Sequence, residues 1–176
     1  MDPEKKYDVV VDYITGNAVP DVGAEANRQK VERLLVEQKG FMREDIEVDT
    51  PIAFTVNDGR YKSRVDLVVS TGGLKGMVIK CAAGSLGSRE RETIAAARLI
   101  NEYPVPFSVV SDGRTAVVLD TRSGRKLGEG LAAIPDRAAL AQHLTNMDPA
   151  PLTADRRRKE MLIFRSYDSM NVNVIR

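Results

Sequence analysis

Two runs, Arg64-Val65-Asp66-Leu67-Val68-Val69 and Met77-Val78-Ile79-Lys80-Cys81-Ala82-Ala83-Gly84, flank Gly72-Gly73 and constrain the fold more than any other part of the chain. Both are rich in β-branched residues, and paired glycines between apolar runs supply the positive backbone angles of a tight turn, so they read as an antiparallel hairpin. Asp66 and Lys80 are the only charged side chains inside its apolar strands. A charge in such a place is costly unless it is paired or used, which makes these two residues the first candidates for a site.

Upstream, Thr15-Gly16-Asn17-Ala18-Val19-Pro20 reads as a turn-rich entry, and Asp21 is a plausible cap for a helix running to about Gln38. Ala24, Val31, Leu34 and Leu35 recur at helical spacing, Gly40 stops the helix, and Glu25, Arg28, Glu32 and Arg33 fall off the apolar stripe. A strand from Ile46 to Val56 follows, interrupted by Pro51, and Asn57-Asp58-Gly59 turns the chain into the hairpin. Three strands therefore come after the first helix.

Past Gly84-Ser85-Leu86-Gly87-Ser88, the segment Arg89 to Asn101 predicts a second helix with Ser88 as its cap. Val105 to Ser111 and Ala116 to Leu119 predict strands joined at Asp112-Gly113. The crossover from Cys81 to Val105 is long enough for a parallel connection. Pro135-Asp136 opens a short helix to about Leu144, and a C-terminal helix carries Arg156-Arg157-Arg158-Lys159 before Met161-Leu162-Ile163-Phe164. The expected fold class is α/β, a mixed central sheet flanked by helices, with a domain over residues 1–130 and a helical extension over 131–176 packed on it.

Composition narrows the function. With 26 basic and 25 acidic residues the formal net charge is +1, so no bulk positive field holds nucleic acid and any such contact is local. The single cysteine, Cys81, rules out an internal disulfide or a cysteine-rich metal cluster and suits a reducing cytoplasm. The charged start Met1-Asp2-Pro3-Glu4-Lys5-Lys6 is no signal peptide, and no apolar run is long enough to span a membrane. A cytoplasmic protein is expected.

Several blocks, taken in order, carry a resemblance: Tyr13-Ile14-Thr15-Gly16, Glu25-Ala26-Asn27-Arg28-Gln29, Phe41 with Ile46-Glu47-Val48, and Arg64-Val65-Asp66-Leu67-Val68-Val69. Over roughly residues 7–130 the chain resembles the N-terminal nuclease domain of type I restriction enzyme R subunits, within the PD-(D/E)XK restriction-endonuclease-like superfamily. The resemblance implies a site in which an aspartate on one strand, a glutamate and lysine spaced E-x-K on the next, and a glutamate from the first helix converge on Mg²⁺ and a scissile phosphate. Carried onto this chain, the helix glutamate falls on Glu25 and the aspartate on Asp66. The E-x-K does not match, because Lys80-Cys81-Ala82 stands in its place.

Exchanging a carboxylate for an ammonium changes the local charge by two units where a divalent cation would bind. Unit charges about 4 Å apart interact by roughly 4 kcal/mol at an effective dielectric near 20. The resemblance therefore implies a vestigial site of Glu25, Asp66 and Lys80, with Ala82 at the lysine position, no cofactor, and the Lys80 ammonium paired with Asp66 and Glu25. The alternative is a Mg²⁺-dependent endonuclease with a rearranged site, in which Glu90 or Glu92 supplies the missing acid and Glu25, Asp66 and Glu90 hold the metal. Blander roles stay open: a strand-end hydrogen bond for Asp66, a helix-dipole carboxylate for Glu25, and a solvated strand face for Lys80.

Arg156, Arg157, Arg158 and Lys159 are the nucleic-acid candidates outside the pocket, against a solvated helix face. Lys75, Lys80, Arg89 and Arg91 would form a second positive patch if their loops converge. His143, the sole histidine, reads as a surface residue, and the glycine loops lack the spacing of a phosphate-binding loop. The chain is too short to hold the motor of a complete R subunit. DNA, RNA, a protein subunit or a second copy of the chain remain open as partners.

Overall fold

The computed structural model describes residues 6–172. A two-stranded antiparallel ribbon, β1 (Val9–Val11) with β2 (Ala18–Pro20), precedes α1 (Glu25–Glu37). Strands β3 (Ile46–Val56), β4 (Gly59–Thr71) and β5 (Leu74–Cys81) form a meander. Helix α2 (Glu90–Leu99) then leads to β6 (Phe107–Ser111), β7 (Ala116–Asp120) and β8 (Lys126–Glu129). Helices α3 (Arg137–Asn146) and α4 (Ala154–Val172) end the chain. The six-stranded sheet runs in the order β3-β4-β5-β6-β7-β8, and its one parallel pair, β5 with β6, is the pair that α2 connects.

Both meander turns are two-residue loops with positive backbone angles. Asn57 and Asp58 lie at φ 50° and 60°, and Gly72 and Gly73 at 57° and 79°, the primed geometry that matches strand twist. Pro51 is accommodated because β3 lies at the sheet edge, where no outer neighbour needs its missing N–H.

The sheet is covered on both faces. Leu35 of α1 and Leu140 of α3 pack with Leu67, Met77 and Ile79 on one side. Ala95 and Ala97 of α2 and Phe164 of α4 pack with Val68 and Val78 on the other. Leu140 comes so near Gly76 that a Cβ there would lie 2.6 Å from its methyl, so the glycine lets α3 close on β5. No helix among the described residues is long and apolar enough to cross a membrane.

One irregularity positions the site. Leu67 and Val69 of β4 belong to the first core, but Val65 belongs to the second; on β3, Ile46 belongs to the first, and Ile52, Phe54 and Val56 to the second. The side-chain alternation breaks where Asp49, at φ 53°, faces Asp66, and the pairing steps from Val48↔Leu67 to Thr50↔Val65. The β3–β4 ribbon thereby swaps the face it buries, and Asp66 sits at the crossover.

Three local expectations are corrected. Helix α1 begins at Glu25 rather than after Asp21, because Gly23 at φ 59° turns the chain first, and Ala24 stands at the N-cap. Ser88 does not cap α2; its hydroxyl donates to Ser85 O, and Arg89 holds the cap position without a side-chain bond. Arg28 and Glu32, off the apolar stripe, are nevertheless buried, because Asp12, in the β1–β2 connection, covers that side of α1.

Candidate functional site

Asp66 and Lys80 meet across the β4–β5 ladder. The last regular pair there is Leu67↔Ile79, so Asp66 and Lys80 occupy the next position, with Lys80 Nζ 3.7 Å from Asp66 Oδ2. The same carboxylate oxygen accepts the Cys81 N–H at 2.8 Å, taking over a ladder bond that the irregular β4 backbone no longer makes. Burial alone would lower the pKa of the Lys80 ammonium. Asp66 first, then Glu92, outweigh it and hold the group above its ordinary value. Ala82 is fixed on both sides: its N–H donates to Ser111 O at 2.9 Å and its carbonyl accepts Asn27 Nδ2 at 2.8 Å. Burial pushes the Cys81 thiol well up, so it packs as an apolar residue.

Glu25 does not join this pair. Its Oε1 accepts from Arg28 Nη2 and Gln29 Nε2, each at 2.8 Å. Arg28 is the centre of a second cluster, with Nη1 2.9 Å from Asp49, Nη2 3.4 Å from Asp12 and Nε 3.7 Å from Glu32. Burial opposes the guanidinium charge, but Asp49 and Glu25 more than offset it. Asp12 is buried too, yet N–H groups from Thr15 and Gln29 hold its carboxyl below the usual range.

Glu32 is 0% exposed, and its carboxyl group lies beside Asp12, the Ile14 N–H and Arg28, whose Nε is 3.7 Å away. Burial and then the Asp12 charge push its pKa up to about 8, against the pull of Arg28. Burial and Asp12 thus favour the protonated form of Glu32, and Arg28 the ionised one. Sequence reading missed this cluster. Arg28 and Glu32 looked like exposed helix positions, and nothing in the local pattern around Asp12 marks it as a partner.

These side chains do not fit a divalent metal in the manner of the E-x-K pattern. An ammonium stands 3.7 Å from Asp66, Glu25 is engaged by Arg28, and no three His, Cys, Asp or Glu side chains converge as a metal site among the described residues. Of the two acids weighed as substitutes, Glu92 lies in the field of Lys80 and Asp66, while Glu90 contributes instead to the field at Lys126. Burial raises the Glu92 pKa despite Lys80 and Arg89, the latter 3.6 Å away.

The proposed positive patches are mostly internally paired. Lys75 bonds Glu47 at 3.0 Å, and Arg91 grips Glu160 through both guanidinium nitrogens at 2.8 and 2.9 Å. Arg98 also reaches Glu160 at 2.6 Å, so this one carboxylate ties α4 to α2. In the basic run, Arg157 donates to the carbonyls of Leu99 and Asn101 at the end of α2, Arg158 to Asn57 Oδ1, and Lys159 pairs with Asp155. Arg156 is exposed. His143 lies on the surface against the Phe107 ring, 4.7 Å between centroids.

A mixed sheet with helices on both faces and a charged pair at its irregular point is the architecture of a nuclease-like α/β domain. The family model for the N terminus of the type I restriction enzyme R protein matches residues 23–135, and the chain belongs to this family. The matched span holds α1, the whole six-stranded sheet and α2; the β1–β2 ribbon, α3 and α4 lie outside it. Neither among curated proteins nor among solved structures does any match the chain.

Proposed function

We propose that this chain is a catalytically silent nuclease-fold module of its family, acting by binding a nucleic-acid or protein partner rather than by cutting. One observation carries the reading: the Lys80 ammonium lies 3.7 Å from Asp66, where relatives with the PD-(D/E)XK pattern would place a glutamate. Ala82 leaves no amine for the lysine role. The pocket is neutralised by the protein's own cation, and the reading calls for no cofactor.

Residues 1–130 would form the module in the cytoplasm, with 131–176 as its brace. Leu140 and Phe164, both buried in the two cores, support that division of labour. Supercoiled plasmid incubated with the chain in Mg²⁺ or Mn²⁺ should stay intact. Nicking that disappears in Asp66→Ala would overturn the proposal.

A second reading, a Mg²⁺-dependent endonuclease with a rearranged site, draws on Glu92, which shares the surroundings of Asp66 and Lys80. It predicts cutting lost in both Asp66→Ala and Glu92→Gln. The geometry favours the first reading, because the nearest cation to Asp66 is already built in.

A further inference from the structure

Ahead of α1, the β1–β2 ribbon turns an apolar face to solvent. Val9 pairs with Pro20 and Val11 with Ala18, and all four are exposed, Val9 and Val11 by 62% and 65%. Hydrogen bonds on either side, from Asp12 N–H to Asn17 O and from Asp21 N–H to Asp8 O, make these the close pairs of the ladder, with Cα atoms about 4.5 Å apart. The four side chains therefore form one patch, and no charge interrupts it. Tyr7 and Val22 stand exposed at its open end.

The ribbon's other face does little to anchor it. Val10 and Val19 are only half-buried and join none of the apolar clusters among the described residues. What holds the ribbon is its root: Tyr13 N–H donates to Gln29 Oε1 at 2.7 Å, and Asp12 accepts from Gln29 at 3.2 Å and from Arg28 at 3.4 Å. A two-stranded ribbon is marginal in water unless a face is packed. This one is fixed at its base and open along its apolar side. The family match begins at residue 23, so the ribbon lies outside the shared core.

We infer that this face joins two copies of the chain about a two-fold axis, whether or not the chain cuts nucleic acid. Self-association meets no long-range repulsion, because the formal net charge is +1. The rim carries both signs, exposed Lys6 beside exposed Asp8 and Asp21, so a two-fold related copy sets charges against their opposites. With Tyr7 and Val22 the patch exposes roughly 500 Å², and two copies bury roughly 1,000 Å², the lower bound for a specific interface and the size of a reversible rather than a permanent dimer.

Other covers fit less well. Residues 1–5 offer only Met1 and Pro3 as apolar side chains, too few for six. A lipid surface is disfavoured, since Lys6 is outnumbered by Asp8 and Asp21 whereas membrane-binding faces ring their apolar side chains with cations.

The test is sedimentation velocity of the full chain over a micromolar concentration series. The average mass should climb from one copy toward two as concentration rises. Val9→Asp with Val11→Asp places four carboxylates in the contact, two from each copy, and should weaken association at least about 100-fold while keeping the circular dichroism spectrum. Leu127→Asp, at an exposed apolar residue of β8, should leave association unchanged. Isotope-filtered NMR on a mixture of labelled and unlabelled wild-type chain reads the contact directly: methyls of Val9 and Val11 should show intermolecular signals to Pro20 or Ala18.

A single-copy mass at every concentration, association that survives in the Val9→Asp, Val11→Asp variant, or no intermolecular signal from Val9 and Val11 would each overturn the inference. A monomer that binds anionic vesicles through the same two valines would overturn it as well and assign the face to lipid. Plasmid cutting in a parallel Mn²⁺ incubation would sink the silent-module reading and leave the mass series to decide this one.

Discussion

Stability should fall between about pH 5 and about pH 8, and replacing Glu32 by Gln should flatten that fall. The carboxyl is raised from 4.5 to about 8 in the fold by burial and by Asp12. Unfolded, it ionises near its ordinary value of about 4.3. Within that window the folded chain keeps a proton that the unfolded chain has released, so stability declines as pH rises and levels off above the folded pKa.

Each pH unit is worth about 1.4 kcal/mol, which gives a loss of at most about 4 kcal/mol over three units. Asp12 does not interfere, because its lowered pKa places its contribution below 3.8. Glu92, also raised by burial, slopes in the same sense but is present in both proteins and cancels in the difference. Urea unfolding followed by circular dichroism at unit pH steps supplies the comparison. The two proteins should be close near pH 5 and diverge toward pH 8, with the variant more stable. Parallel curves, or a variant less stable at pH 8, would refute the account of the Asp12–Arg28–Glu32 cluster.

Lys80→Glu should destabilise the chain by roughly 2 kcal/mol in the absence of divalent ions, a partly exposed pair giving less than a fully buried one. Combined with Ala82→Lys it restores the E-x-K spacing, and calorimetry should then detect Mn²⁺ uptake; no uptake would contradict the assignment of position 80. Glu160→Gln should cost about 3 kcal/mol because Arg98 loses its buried partner, measured by urea denaturation. The same carboxylate, lowered by its two arginines against burial, contributes stability that is present above about pH 4.5 and lost as pH falls through its folded pKa, so the variant should show a shallower acid limb. Phe164→Ala should cost about 3–5 kcal/mol and expose the rings of Phe54 and Tyr61, read from near-ultraviolet dichroism.

Much of the fold was legible because its signals were local. Gly72-Gly73 and Asn57-Asp58 mark turns whose backbone angles few other pairs adopt, and the β-branched runs on either side could only be strands. The turn alone would set Asp66 opposite Ile79; the bulge between Val69 and Ser70 shifts the register by one residue and brings Asp66 across from Lys80. Features that depend on distant segments were not legible. Arg28 and Glu32 fall on the polar side of a helical wheel, and only the β1–β2 connection, folding back from the start of the chain, buries them.

The short strands β1, β2 and β8 lack periodicity long enough to announce themselves. The expected contact between Lys80 and Glu25 fails because Arg28, one helical turn along, takes the carboxylate first.

The most direct test of the built-in cation at the nuclease-like centre is a Mn²⁺ titration followed by amide NMR at Asp66, Lys80 and Cys81. The account predicts that these signals keep their linewidths while Mn²⁺ is added, since Lys80 already neutralises Asp66. Selective paramagnetic broadening of the three signals, abolished by Asp66→Ala, would contradict it.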